Sequence, residues 1–238
     1  MPPRFRGRPT LDGSRCADGC RACIESCPTA AIQAVDRGLE LDMGRCLFCA
    51  DCVDACPTDA IAFSPDFRLA ERARKNLVVS SRNGNRSEDR GLELGSELRR
   101  LFGRSLKLRQ VSAGGCNGCE ADVNVLGTVV FDLGRFGIQY VASPRHADGL
   151  LITGPVTENM REALRKTYDA VPEPRIVIAV GACAISGGPY IGHCEAHDGA
   201  DSTVPVDLYV PGCPPHPFTI LEGLIGLLGQ TNGKSKTP

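Results

Sequence analysis

The sequence contains no run of 18 apolar residues, the shortest length expected of a membrane-crossing helix. The most apolar stretch near that length, 218–228, is short and is broken by Gly223 and Gly226, so membrane association is expected only through partners. The N-terminus lacks a hydrophobic region as well. Residues 1–10 hold Arg4, Arg6, Arg8 and three prolines, which does not read as an export signal. A secreted disulfide scaffold is therefore not expected, and the thirteen cysteines read as reduced, metal-binding thiols. No aromatic residues interleave the basic ones in a stacking pattern, which leaves nucleic-acid binding without support. The four histidines, His146, His193, His197 and His216, show no ligand spacing and read as structural or exposed.

The net charge is only -1, but it is unevenly placed. Residues 10–63 hold nine acids and four bases, 64–110 hold twelve bases and six acids, and 111–238 hold thirteen acids and eight bases. The basic middle reads either as a solvated linker or as an arm docking on an acidic partner or anionic lipid surface. A length of 238 residues suits one medium domain and one small one.

What is abundant is cysteine, and twelve of the thirteen fall into three groups of four. Two groups lie in an internal repeat. Cys20, Cys23, Cys27, Pro28, Thr29, Ala31 and Ile32 recur 29 positions later as Cys49, Cys52, Cys56, Pro57, Thr58, Ala60 and Ile61. Cys46, Cys49, Cys52, Cys56 and Pro57 match C-x2-C-x2-C-x3-C-P, the run that the bacterial ferredoxins use for iron–sulfur ligation. The first copy has one extra residue, since Ala17, Asp18 and Gly19 separate Cys16 from Cys20; a glycine-containing loop can bulge and still present Cys16. Four-cysteine zinc sites also use C-x2-C pairs, but they have no need of two interleaved quartets.

This region, about 50 residues, resembles two-cluster bacterial-type ferredoxins. The resemblance implies an α+β fold of βαβ-βαβ type in which the fourth cysteine of each run crosses to the other cluster. One [4Fe-4S] cluster is then expected on Cys16, Cys20, Cys23 and Cys56, the other on Cys46, Cys49, Cys52 and Cys27. Ile32 and Ile61 are expected to pack a small core, with metal binding compensating for its size.

Between residues 64 and 104 the sequence reads as a basic linker, with a short helix at 67–75, a flexible boundary at 80–91, and a helix through Leu94, Leu98, Leu101 and Phe102. From Leu106 the pattern alternates strand, glycine-rich loop and helix. Strands are expected around Leu106–Val111, Ile138–Ala142, Gly149–Thr153, Arg175–Val180 and Asp207–Val210. Helices are expected at 119–136, at 158–170 with Thr157 as its cap, and at 218–228. That alternation implies an α/β, doubly wound parallel sheet. Cys116, Cys119, Cys183 and Cys213 each follow a strand, so they can converge at the carboxyl edge. The neighbouring Gly115, Gly118, Gly181 and Gly212 permit tight turns and let backbone N–H groups approach the sulfurs.

Five motifs of this half carry a second resemblance: Gly115-Cys116-Asn117-Gly118-Cys119-Glu120, Ser143-Pro144-Arg145, Gly154-Pro155-Val156-Thr157, Gly181-Ala182-Cys183-Ala184 with Gly187-Gly188, and Pro211-Gly212-Cys213-Pro214-Pro215. Together they resemble the family that joins [NiFe]-hydrogenase small subunits to the cluster-bearing 20 kDa-type subunit of complex I. The resemblance implies a flavodoxin-like fold holding a third [4Fe-4S] cluster on Cys116, Cys119, Cys183 and Cys213, beside a large subunit's active site. Complex I members have adjacent cysteines at the first position; C-x2-C here favours the energy-converting, membrane-bound hydrogenases. The absent export signal agrees.

The domains expected are a ferredoxin at 10–63, a basic linker at 64–104, a cluster domain at 105–230 and a tail at 231–238. The resemblance implies an electron-transfer subunit with no catalytic centre of its own, relaying electrons to or from a [NiFe]-hydrogenase-like large subunit. The alternative is a complex I-like reductase of quinone or another acceptor, without nickel, and a third reading is a non-catalytic metal-binding or assembly scaffold. The expected partners are that large subunit, membrane subunits of the same complex, and a ferredoxin or other redox donor; the expected place is the cytoplasmic face of the inner membrane. Glu120 reads as a helix-start carboxylate or a proton-transfer group. Arg145 reads as a cluster-tuning, partner-pairing or surface residue, and Cys194 as a free thiol.

Overall fold

The computed structural model describes residues 4–17, 19–36, 38–82, 100–102 and 105–229. The N-terminal part is built from two copies of the same short unit. β1 (Pro9–Leu11) leads to the first cysteine loop and α1 (Ala22–Glu25); β2 (Ile32–Val35) then turns into β3 (Gly38–Asp42), followed by the second cysteine loop, α2 (Asp51–Asp54) and β4 (Ile61–Phe63). β1 pairs antiparallel with β4, bringing Leu11 opposite Ile61. β2 pairs antiparallel with β3, bringing Ile32 opposite Leu41. In β3, Leu39 and Leu41 are buried while Gly38, Glu40 and Asp42 are only partly covered, the period-2 pattern of a strand with one face on a core. Ile32 and Ile61 are buried as expected.

The segment expected to be a basic helix at 67–75 is instead an extended strap. The backbone of Glu71 exchanges both hydrogen bonds with Tyr209, at 2.9 and 3.0 Å, and the only helical turn there is 3-10, Arg74–Leu77. β5 (Val78–Ser80) then adds to β3. Tertiary pairing outweighs a weak local preference here. Arg8 ties the same strap to the chain start through a buried ion pair with Glu71, 3.1 Å. Of the flexible boundary expected at 80–91, residues 83–91 lie outside the described residues. So do 94–99 of the following helix, of which 100–102 are helical, and the tail at 231–238.

The C-terminal part is a five-stranded, wholly parallel sheet in the order β10-β9-β8-β6-β7. Its strands are β6 (Leu106–Ser112), β7 (Ile138–Tyr140), β8 (Gly149–Thr153), β9 (Ile176–Val180) and β10 (Leu208–Val210). Every residue of β8 and β9 is buried, as a sheet covered on both faces requires. On one face lie α3 (Gly118–Val125) and α6 (Pro217–Leu227), whose Val123, Ile220, Leu224 and Leu227 pack with Leu151, Ile178 and Val180. Ile220, Leu224 and Leu227 are each fully buried, worth about 1.5–3 kcal/mol apiece. On the other face Leu150, Ile152, Val177 and Ala179 share a core with Leu164 of α4 (Glu158–Asp169) and with Leu41, Met43, Ile61 and Leu77 of the N-terminal part. The small N-terminal core is thus continuous with that of the sheet.

Two expected helix details differ. The helix expected at 119–136 stops at Val125; Thr128 Oγ1 donates to Val125 O at 2.7 Å, a turn follows, and a separate 3-10 turn spans Leu133–Phe136. Leu126 and Leu133 are both buried, so two elements meeting one core mimic a single helical period. Thr157 occupies the N-cap position of α4 without a side-chain capping bond, and the Glu158 N–H donates to Glu195 O at 3.0 Å.

Candidate functional site

The internal repeat has a physical explanation at two of its sulfurs. In each copy the backbone N–H four residues beyond the last cysteine donates to that cysteine's sulfur: Ala31 to Cys27 Sγ and Ala60 to Cys56 Sγ, both 3.2 Å. In each copy the threonine hydroxyl two residues on stands 3.9 Å from the same sulfur. Cys-Pro-Thr-x-Ala is therefore a sulfur-solvating turn written twice. Phe48 N–H adds a third such bond, to Cys46 Sγ at 3.3 Å. At Cys56, burial raises the thiol pKa, but the bonds around Thr58 and Ala60 outweigh it and hold the thiol below its ordinary value. At the one-residue insertion, Cys20 N–H donates to Ala17 O at 3.1 Å, and Cys16 is partly buried against the core.

Cys27, Cys46, Cys49 and Cys52 line one small cavity together with Ile32, Leu41 and Phe63. Burial, reinforced by the charges of Cys52, Cys27 and Cys49, pushes the Cys46 thiol up to about 12. Burial likewise raises Cys23, which feels Cys16, Cys56 and Cys20. Bare thiolates are therefore disfavoured at Cys46 and Cys23, and a bound cationic group is what would offset both burial and mutual repulsion there. Among the described residues no three His, Cys, Asp or Glu converge on a point suited to a single metal ion. A zinc site needs all its sulfurs about 2.3 Å from one ion; an iron–sulfur cluster spreads them over a larger body.

The third quartet comes together from three strand ends. Cys116 follows β6, Cys119 sits in the first turn of α3, Cys183 lies in α5 (Ala182–Ser186) after β9, and Cys213 follows β10. Burial raises Cys119, followed by the charges of Cys183, Glu120, Cys213 and Cys116. Cys183 is pushed up to about 11 by burial, then by Cys213 and Cys116. The glycines here act sterically. A Cβ on Gly181 would lie 2.4 Å from Cys119 Sγ, and one on Gly188 would lie 2.9 Å from Cys183 Sγ. The donor set and apolar lining around Cys27, Cys46, Cys49 and Cys52 fit a four-thiolate cluster; the other two groups offer the same thiol donors, with space kept for sulfur beside Cys119 and Cys183.

The quartets are also neighbours. Cys52 of the second group feels Cys23 of the first, and Cys213 of the third feels Cys49 of the second after burial and Cys116. A cleft of about 400 Å³ beside this second junction is lined by Phe5, Arg6, Phe48, Asp122, Cys213 and His216 among others. Cys49, Cys116 and Cys213 are exposed.

Glu120 lies in the first turn of α3, but as a buried hydrogen-bond acceptor and not as a backbone cap. It accepts from Ser112 Oγ at 2.6 Å and Thr153 Oγ1 at 2.7 Å, bonds invisible in the sequence because both partners come from strand ends. Burial opposes its charge, yet the two hydroxyls prevail and hold the carboxyl below its usual range. Arg145 lines a cleft with Leu101, Asp148 and Glu173 that contains no cysteine. His146 and His193 are exposed, and His197 pairs with Glu158. His216 caps α6, accepting from Phe218 N–H at 3.2 Å, with its ring stacked on Phe218 and edge-on to Phe5. Cys194 is exposed. No helix among the described residues is long and apolar enough to cross a membrane.

Residues 15–60 match the 4Fe-4S dicluster domain family. Residues 116–227 match the family described as NADH ubiquinone oxidoreductase, 20 Kd subunit. A Pyrococcus furiosus protein named "Probable membrane-bound hydrogenase subunit mbhJ" is 42% identical over 142 residues, which cover 59% of this chain and 85% of that protein. The chain belongs to the 20 Kd subunit family. Escherichia coli formate hydrogenlyase subunit 7 is 44% identical over 57% of this chain and 54% of its own length. Among solved structures, a chain of the membrane-bound sulfane sulfur reductase, an archaeal respiratory membrane complex, is 34% identical, with a TM-score of 0.50, over 59% of this chain and 78% of that one. This member of the family is an iron–sulfur electron-transfer subunit of an oxidoreductase complex, with a ferredoxin-type 4Fe-4S domain ahead of its five-stranded sheet domain.

Proposed function

We propose that this chain passes electrons one at a time through three [4Fe-4S] clusters to or from the active site of a large subunit in a membrane-associated [NiFe] hydrogenase. The observation that carries the reading is the succession of three neighbouring cysteine groups, the first two in a core that the N-terminal part shares with one face of the sheet. Cys16, Cys20, Cys23 and Cys56 would hold the first cluster, Cys27, Cys46, Cys49 and Cys52 the second, and Cys116, Cys119, Cys183 and Cys213 the third. When bound, such clusters supply one-electron oxidation and reduction over a wide span of potentials. The N–H groups of Ala31, Ala60 and Phe48 donate to ligand sulfurs, which favours the more negative reduced state and raises the potential. Order β10-β9-β8-β6-β7 with helices on both faces supports a flavodoxin-like, doubly wound reading of the sheet domain, whose carboxyl edge is where ligands collect. The N-terminal part is read as a ferredoxin-like fold over 10–63, the cluster domain as 105–230.

The hydrogenase reading draws on Cys116-x2-Cys119-Glu120 and on similarity to the P. furiosus protein. In it, two protons and two electrons combine to hydrogen at the partner's metal centre, or hydrogen is oxidised in reverse, and this chain is only the conductor. The place is the cytoplasmic face of the inner membrane, held there by membrane subunits, with a ferredoxin or another redox donor at the first cluster. Similarity to a chain of the sulfane sulfur reductase favours a second reading, a related reductase of a different acceptor without nickel. Purifying the intact complex and measuring nickel together with hydrogen evolution separates them. Nickel with hydrogen evolution supports the first reading; a nickel-free complex that reduces a quinone or sulfane sulfur overturns it in favour of the second.

A further inference from the structure

The turn that delivers Cys46 and the helix that carries Cys183 are bolted to each other. After β3, Cys46 N–H and Arg45 N–H both donate to Asp42 O, at 3.0 and 3.1 Å, and Gly44 N–H donates to Asp42 Oδ1 at 2.8 Å. The Asp42 carboxylate is gripped by both terminal nitrogens of Arg74, at 2.7 and 2.6 Å, a forked contact that fixes orientation as well as charge. Thr29, two residues beyond Cys27, donates its hydroxyl to Arg45 O at 2.8 Å. Two ligands of the second quartet thus hang from one braced turn.

That turn meets the helix of Cys183 at a buried point. Ser186, three residues past Cys183 in α5, donates to Gly44 O at 2.8 Å, with a longer approach to Ala182 O of 3.1 Å. Ser186 is only 8% exposed. There is no room at Gly44 for a side chain: a Cβ would lie 2.7 Å from Arg74 Cζ and 2.8 Å from Ile185 Cγ2. The backbone of one ligand-bearing turn is therefore held to the helix bearing a ligand of the next cluster by the Ser186 hydroxyl and packs closely on the Ile185 side chain.

We propose that Gly44 and Ser186 are positioning residues that set the spacing between the second and third clusters, and so the rate of electron transfer across the junction that joins the ferredoxin part to the sheet domain. This rests on the cluster assignment given above. Neither residue touches a cluster; each acts through the element carrying Cys46 or Cys183. Electron tunnelling weakens steeply with distance, so a small loosening of this contact is felt in the rate before it is felt in either cluster's own properties. The contact also makes the second quartet the middle station, leaving the first as the outer one.

The test uses the anaerobically purified complex with Ser186→Ala, Ser186→Thr and Gly44→Ala. Rapid-freeze EPR follows arrival of the electron at the third cluster after reduction of the ferredoxin part, and the magnetic interaction between the reduced second and third clusters reports their separation. The expected result is several-fold slower transfer and weakened magnetic interaction in Ser186→Ala and Gly44→Ala, with each cluster's g-values and midpoint potential retained. Ser186→Thr, which keeps the hydroxyl, restores both. Unchanged rate and interaction in Ser186→Ala overturn the proposal, as does a changed g-tensor or potential of the third cluster itself, which would mean that Ser186 acts on the cluster. If Gly44→Ala fails to accumulate, the Ser186 pair decides alone. Failure of the cluster assignment would be visible separately, as fewer than three cluster signals in the unaltered protein.

Discussion

Gly181→Ala is expected to expel the third cluster while sparing the other two. Gly181 has φ +93° and ψ 155°, a region open essentially to glycine alone, so a side chain there costs about 1–3 kcal/mol in backbone strain. The new methyl would also lie 2.4 Å from Cys119 Sγ, about 1 Å inside ordinary contact. The backbone cannot swing away freely. Gly181 N–H donates to Val210 O and Ala182 N–H to Gly212 O, both at 2.8 Å, so relaxation at Gly181 drags on the residue before Cys213. Two of the four thiols are displaced whichever way the strain is relieved. Iron content should fall from about twelve to about eight atoms per chain, the loss of one four-iron cluster. For a chain of this size each kcal/mol of strain lowers the melting temperature by about 2–4 °C. Iron analysis with EPR reads the first effect and thermal unfolding the second. Gly134→Ala, where a methyl meets no atom within 4 Å, is the control and should stay within about 0.5 kcal/mol of the unaltered protein. Full iron content with an unaltered third-cluster spectrum in Gly181→Ala would refute the reasoning.

Other substitutions probe other joints of the molecule. Cys213→Ser should abolish the third-cluster EPR signal and leave two ferredoxin-type signals; loss of all three would mean that the shared core couples their assembly. Cys194→Ser, at an exposed thiol outside the quartets, should leave iron content and all three signals unchanged. Glu120→Leu removes the short acceptor of the fully buried Thr153 hydroxyl and should cost about 1–3 kcal/mol in denaturant unfolding, with Glu120→Gln, which keeps one acceptor oxygen, costing less. Glu71→Leu breaks the buried pair with Arg8 and should cost about 3–5 kcal/mol, measured the same way.

The parts of this fold written locally were legible. β8 occupies Gly149–Thr153 as its apolar run indicates, and α4 runs Glu158–Asp169, one residue short of expectation. The cysteine groups were legible as candidates because thiolate ligands repeat at fixed spacings and glycines stand beside them. What escaped was set by distant partners. The 67–75 segment has helical composition, but Glu71 is claimed by Tyr209 and Arg74 by Asp42. The period of Leu126, Val130 and Leu133 suggested one long helix; Val130 is in fact 80% exposed on a turn. The Ser186–Gly44 bond joins residues 142 apart, and nothing in either neighbourhood announces the other. The N–H-to-sulfur bonds of Ala31 and Ala60 were not legible, since any residue but proline supplies the backbone N–H; the Cys-Pro-Thr-x-Ala repeat showed only that the same turn occurs twice.

The central claim is that one chain holds three iron–sulfur clusters in succession. Reductive titration of the anaerobically purified full chain, followed by EPR with metal analysis of the same sample, tests it most directly. The expected result is about twelve irons per chain, no nickel and no zinc, and three four-iron signals, with magnetic interaction between the middle cluster and each neighbour. Stoichiometric zinc, or a full complement of iron whose three signals show no mutual interaction, would contradict it.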